Sequence, residues 1–98
     1  MKIIYNVYET DEWFTRSSYS ILGVFSSPRA IKREMRKYLS KRTDEFIDEA
    51  TAKSGACRPI SKKRAIKLVI DELLLNNQTF GYTFNYVIET FVINKIND

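Results

Sequence analysis

The stretch from Ser27 to Leu39, SPRAIKREMRKYL, limits what the rest of the chain can be, because it divides one helix into an apolar side and a basic side. Ser27 suits an N-cap, and Pro28 suits the first helical position, where no amide hydrogen is needed and φ is already near helical. Ile31, Met35, Tyr38 and Leu39 then fall at i, i+4, i+7 and i+8, the spacing that gathers side chains on one face of a 3.6-residue helix. That face needs a sheet to cover. The other positions carry Arg29, Lys32, Arg33, Arg36 and Lys37, continuing into Lys41 and Arg42, with Glu34 the only acid among them. This second face needs water or an anion.

The surroundings of this helix are short. A chain of 98 residues makes one domain, residues 1–98, with enough apolar surface for a single two-layer core. Six Tyr, six Phe and one Trp favour strands. From Lys2 to Tyr8, KIIYNVY sets Ile3, Tyr5 and Val7 against Ile4, Asn6 and Tyr8, a period of two that predicts a strand. A polar stretch from Glu9 to Ser18 leads to a second β-rich run, Tyr19 to Phe25, and the pair reads as a long-looped hairpin. Trp13 and Phe14 in that loop either fold back on the core, the commoner outcome for loop aromatics, or stand out for a partner.

After the first helix, Phe46, Ile47 and Ala50 extend its stripe, by continuation or by a restart capped at Thr43 or Asp44, and Gly55 is a C-terminal stop. Ser61 caps a second helix to about Asn76, with Ala65, Ile66, Val69, Ile70, Leu73 and Leu74 in register. Asn76, Asn77 and Gly81 end it. The run from Tyr82 to Ile93 alternates as a last strand, and its change of phase near Glu89 to Phe91 predicts a bulge or a bend. The order is therefore ββααβ. In the simplest closure the last strand lies beside the first, giving an α+β two-layer fold: a three-stranded antiparallel sheet ordered 2-1-3 with the helices packed on one face. Tyr5, Tyr82 and Tyr86 then either alternate into the core, the simpler reading, or line a flat outer surface for a protein partner or a homo-oligomer contact.

The net charge of +4 conceals a local excess. Residues 1–28 carry −1 and residues 68–98 carry −3, whereas residues 29–67 hold 13 bases against Glu34, Asp44, Glu45, Asp48 and Glu49, a balance of +8. Clustered charge of one sign attracts polyanions. Lys62, Lys63 and Arg64 stand in the first turn of the second helix, where the positive end of the helix dipole opposes them by about 0.3–1 kcal/mol each. Together with Arg58 they would surround a phosphate or carboxylate held at that N-terminus. The simpler reading is a solvated turn paired with the acids between Asp44 and Glu49.

Other chemistries have little support. The absence of His removes the ordinary zinc ligand set, the single Cys57 excludes an internal disulfide, and no cofactor is expected. Near the N-terminus the longest apolar run is Ile3–Ile4, which supplies neither a signal-peptide core nor a membrane span, so a cytoplasmic protein with no membrane partner is expected. The acids show no spacing beyond that of a solvated helix face, and Cys57 beside Arg58 has no base, so the chain does not read as an enzyme. Two binding readings remain. In one, Arg29, Lys32, Arg33, Arg36, Lys37, Arg58, Lys62, Lys63 and Arg64 engage nucleic acid or a nucleotide. In the other, Trp13, Phe14 and Tyr82 anchor a host protein while the bases steer its approach.

The opening residues Tyr5, Asp11, Trp13, Ser17, Ser18, Gly23 and Phe25, and the closing NYVIETFVINKI from Asn85 to Ile96, resemble small uncharacterised proteins of phages and mobile elements of Bacteroidetes-like bacteria. The likeness covers both ends and leaves out the lysine-rich middle. It implies a setting: small phage proteins are often non-catalytic inhibitors of host defence, among them anti-CRISPR proteins and sponges for nucleotide signals. On that resemblance the chain is a phage accessory protein that binds in the host cytoplasm and does not turn over a substrate.

Overall fold

The computed structural model describes residues 2–93 and contains three strands and three helices: β1 (Lys2–Asp11), β2 (Ser20–Phe25), α1 (Pro28–Ser40), α2 (Glu45–Ser54), α3 (Lys62–Asn76) and β3 (Phe84–Ile93), with a 3-10 turn at Arg16–Ser18. The sheet is antiparallel and ordered β2-β1-β3, the α+β arrangement expected. β1 is central. It pairs with β3 over ten rungs, from Lys2↔Ile93 to Asp11↔Phe84, but with β2 only between Tyr5 and Glu9.

α1 and α3 start on side-chain caps, whereas α2 follows Asp44 without a side-chain cap hydrogen bond. Ser27 accepts the Ala30 amide at 3.2 Å and Pro28 occupies the first turn of α1, as its sequence predicts. The helix stops at Ser40 and restarts at Glu45, so the middle of the chain holds two helices where the apolar stripe alone left continuation open. Gly55 ends α2 in the left-handed region at φ +75°, which glycine adopts without a Cβ penalty. Asn77 does the same for α3 at φ +61°.

The core lies between the sheet and the helices. Ile31, Met35 and Leu39 of α1, Phe46 and Ala50 of α2, and Ala65, Val69, Ile70 and Leu73 of α3 pack on Val7, Tyr86 and Ile88 of the sheet. Polar ties fix the layers. Tyr38 donates to Glu9 Oε2 at 2.6 Å, Arg42 lies 3.6 Å from the same carboxylate, and its guanidinium stacks 4.1 Å from the Phe84 ring centroid. Lys53 of α2 pairs with Glu72 of α3 and donates to the Phe80 carbonyl, while Glu49 accepts the Thr83 amide at 2.7 Å.

Three expectations are corrected. The bulge lies not in β3 but between β1 and β2, where Val7 faces Gly23 and Tyr8 faces Ile21, leaving Leu22 as the extra residue. The phase change of β3 has another cause. Glu89–Ile93 are all exposed, and past Thr90 the strand runs with β1 beyond the end of β2, so in Phe91–Ile93 no single face needs to be apolar. Tyr82 is not an exposed anchor, since it and Tyr86 are buried at 2% and 3%, as the simpler reading of the tyrosines held. Trp13 goes the other way. It stands 76% exposed, and only Phe14 is half-buried.

Candidate anion-binding groove

The basic residues of α1 and α3 converge because the apolar stripes of the two helices share one core. α1 turns Ile31, Met35 and Leu39 inward, and α3 turns Ala65, Val69 and Leu73 inward beside it. The flanking positions then face each other across the line of contact. A groove of about 840 Å³ opens there, lined by Lys32 and Arg36 from α1 and by Ser61, Lys62, Lys63, Arg64, Lys67 and Asp71 from α3, with Ile66 and Ile70 supplying an apolar base. Six cations thus meet one carboxylate.

Their pairing divides them. Lys62 lies 3.1 Å from Asp44 and donates to the Arg42 carbonyl at 3.0 Å, so it ties α3 to the α1–α2 turn, as the solvated reading of this cluster expected. Lys67 lies 2.8 Å from Asp71, one turn along. Among the described residues, Lys32, Arg36, Lys63 and Arg64 have no carboxylate within ion-pair distance. These four carry the free positive charge of the groove.

The helix end adds to it. Ser61 accepts the Arg64 amide at 3.2 Å, which satisfies one of the orphan donors of the first turn. The remaining first-turn amides carry the positive end of the helix dipole toward the same place.

The other expected anion ligands are not gathered here. Arg29 and Arg33 are exposed on α1 and do not line the groove, and Arg33 shares Glu34 with Lys37 at 3.5 and 3.6 Å. Arg58 is exposed in the α2–α3 connector beside the free thiol of Cys57. Of the acids between Asp44 and Glu49, Asp44 is engaged by Lys62 and Glu49 by Thr83. Ile66 and Ile70 are the groove residues that sequence reasoning assigned to the core alone. They are core residues, and the signal of their second role is that cations flank Ile66 within one turn on both sides and Lys67 precedes Ile70 by three residues.

The aromatic site is reduced to one ring on a braced turn. Asp11 Oδ1 accepts the amides of Trp13 at 3.0 Å and Thr15 at 2.9 Å, and the Asp11 carbonyl accepts the amide of Phe14. The donated Thr15 amide is the largest influence on the Asp11 carboxyl, holding it below its ordinary value. Phe14 takes φ +57°, and the turn that results carries Trp13 outward.

No family model matches the chain, and neither a curated protein nor a solved structure is significantly similar to it. No helix of the described residues is long and apolar enough to cross a membrane.

Proposed function

We propose that this chain is a non-catalytic binding protein whose target is nucleic acid, held by its phosphates in the α1–α3 groove. The observation that carries the reading is the convergence of Lys32, Arg36, Lys63 and Arg64, none of them paired with an acid among the described residues, on one groove. Free cations gathered from two helices raise the local potential, attract a polyanion from a distance and release its condensed counterions on contact. The line of cations favours a polymer over a single nucleotide. Arg29, Lys32, Arg33 and Arg36 recur along α1 over a rise of roughly 10 Å, which suits successive phosphates better than one. The exposed stems and the apolar base of Ile66 and Ile70 leave room for a base or sugar beside the phosphate. A phage or mobile-element accessory protein that inhibits host defence in the host cytoplasm is the setting that the resemblance of the chain ends supplies.

Fluorescence anisotropy with labelled single-stranded and duplex oligonucleotides tests the reading. Affinity is expected to fall steeply between about 50 and 200 mM salt, with a log–log slope that shrinks by about 0.7–0.9 for each phosphate contact removed. Changing Lys32, Arg36, Lys63 and Arg64 together to Gln is expected to abolish the salt-sensitive binding. Unchanged affinity in that variant would remove the proposal.

One observation favours a second reading, a host-protein contact. Trp13 is braced outward by Asp11, and an exposed Trp on an ordered turn is the kind of anchor that dominates protein interfaces. Capture from host lysate that survives nuclease treatment and is lost in Trp13→Ala supports this reading; capture lost to nuclease supports the groove.

A further inference from the structure

β3 is an edge strand, and among the described residues its outer edge is occupied only at one end. There the Ile88 amide donates to the Asn77 carbonyl at 2.7 Å, the Thr79 amide donates to the Tyr86 carbonyl at 2.9 Å, and the Tyr86 amide donates to Thr79 Oγ1 at 3.0 Å. Tyr86 and Ile88 therefore turn their backbone groups away from β1. In an antiparallel ladder this orientation alternates, so Thr90 and Val92 also point outward, whereas Glu89, Phe91 and Ile93 point toward β1. Among the described residues nothing pairs with that edge beyond Ile88.

The exposed end of the sheet is also apolar on both faces. β2 stops opposite Tyr5, which leaves Lys2–Ile4 and Phe91–Ile93 as a two-stranded ribbon. Ile3 at 40% and Val92 at 54% exposure stand on one face; Phe91 and Ile93, each 46% exposed, stand on the other. A two-stranded ribbon is marginal in water. Natural edges are guarded by Lys, Pro or a bulge, and the open run ETFVI has none of these, only Glu89 at its start.

We infer that this edge is the dimer interface, filled by β3 of a second copy of the chain running antiparallel about a twofold axis at Phe91. The register follows from the open rungs. Thr90 facing Val92 of the second copy, and Val92 facing its Thr90, uses both outward-pointing residues of each strand. Phe91 then faces its own symmetry mate at a non-hydrogen-bonded position, where side chains approach most closely. A shift of two toward the sheet would oppose Val92 to Ile88, whose amide already serves Asn77. Self-pairing is thus matched in direction, in hydrogen bonding and in apolar content, which makes the second copy the fitting occupant. The product is a six-stranded sheet. Its twofold axis stands perpendicular to the sheet, so both helical layers lie on the same side. The inference is independent of what the groove binds.

Light scattering and analytical ultracentrifugation of the full chain are expected to give twice the chain mass. Phe91→Lys opposes two ammonium groups at the axis and is expected to give a monomer. So is Val92→Pro, which deletes only an outward amide and keeps the ladder to β1, with circular dichroism reporting the retained fold. Phe91→Cys in a Cys57→Ser background is expected to form a disulfide-linked dimer on oxidation. A wild-type chain that stays monomeric at every concentration, leaving the edge to a different chain, overturns the inference. So does a dimer that survives both folded variants, or one that the cysteine fails to cross-link.

Discussion

Asn85 is a polar residue with no exposed surface, and it holds the entry to β3 together. Its carbonyl oxygen accepts from Thr79 Oγ1 at 3.1 Å and from the Tyr82 amide at 3.3 Å, while its amide group donates to the Tyr82 carbonyl at 2.8 Å. Asn85→Ala strands those groups, and each buried group left without a partner costs about 1–3 kcal/mol. Urea denaturation is expected to register that loss with oligonucleotide affinity unchanged. Tyr38 gives a pH dependence. Burial first, and then the bond to the Glu9 carboxylate, push its hydroxyl up to about 12 from an ordinary value of 10.0. Between those values the unfolded chain has released a proton that the native chain still holds, so stability is full below about pH 10 and falls as pH rises toward 12. Burial raises Tyr82 to about 12 in the same way. Tyr38→Phe removes one of these contributions, and a shallower alkaline fall in the urea midpoint is expected; a fall as steep as that of the wild type would show that the Tyr38 proton is not involved.

At the scale of elements, α3 begins against its own dipole. Lys62 is compensated by Asp44, but among the described residues Lys63 and Arg64 are not, so the first turn keeps an unfavourable charge that a helix selected for stability alone would lack. Changing Lys63 and Arg64 to Glu is expected to stabilise the fold by about 0.3–1 kcal/mol per position while it removes nucleic-acid binding. A thermal melt and an anisotropy titration on the same sample check both signs. A variant that loses stability along with binding would assign the two side chains a structural role instead. The elements themselves were legible where a cap and an apolar period agree, as at Ser27 with Pro28 and at Ser61. Legibility failed where a local pattern depends on distant neighbours. The spacing of Phe91 and Ile93 looks like a defect in a strand until β2 is seen to stop at the rung of Tyr5 and Thr90, and a sequence does not state where a neighbouring strand ends. The two readings of Trp13 stayed open for a related reason, because the Asp11 carboxylate that braces its turn acts through two nearby amides and has no period. The groove was half legible: the cations were evident, but which of them meet depends on how α1 and α3 are placed in the shared core.

At the scale of the molecule, the groove and the open edge of β3 lie on one chain, and in the proposed dimer symmetry relates two of each. A twofold perpendicular to the sheet sends both grooves to the same side, so one long polyanion can enter both, whereas a short one fills a single groove. The second contact is then intramolecular, and its effective concentration raises the overall affinity by roughly 10²-fold or more when the ligand spans both sites. Wild-type chain is therefore expected to bind a long oligonucleotide far more tightly than a short one of the same composition, beyond the statistical gain from extra sites. Val92→Pro changes no charge and leaves each groove intact, so its affinity for the short oligonucleotide is expected to match the wild type while its preference for the long one disappears. Anisotropy titrations across a series of lengths separate the two properties. A length preference that persists in a monomeric Val92→Pro chain would assign avidity to the groove residues of one copy, with Arg29 and Arg33 extending the track along α1, and the dimer would then have no part in binding.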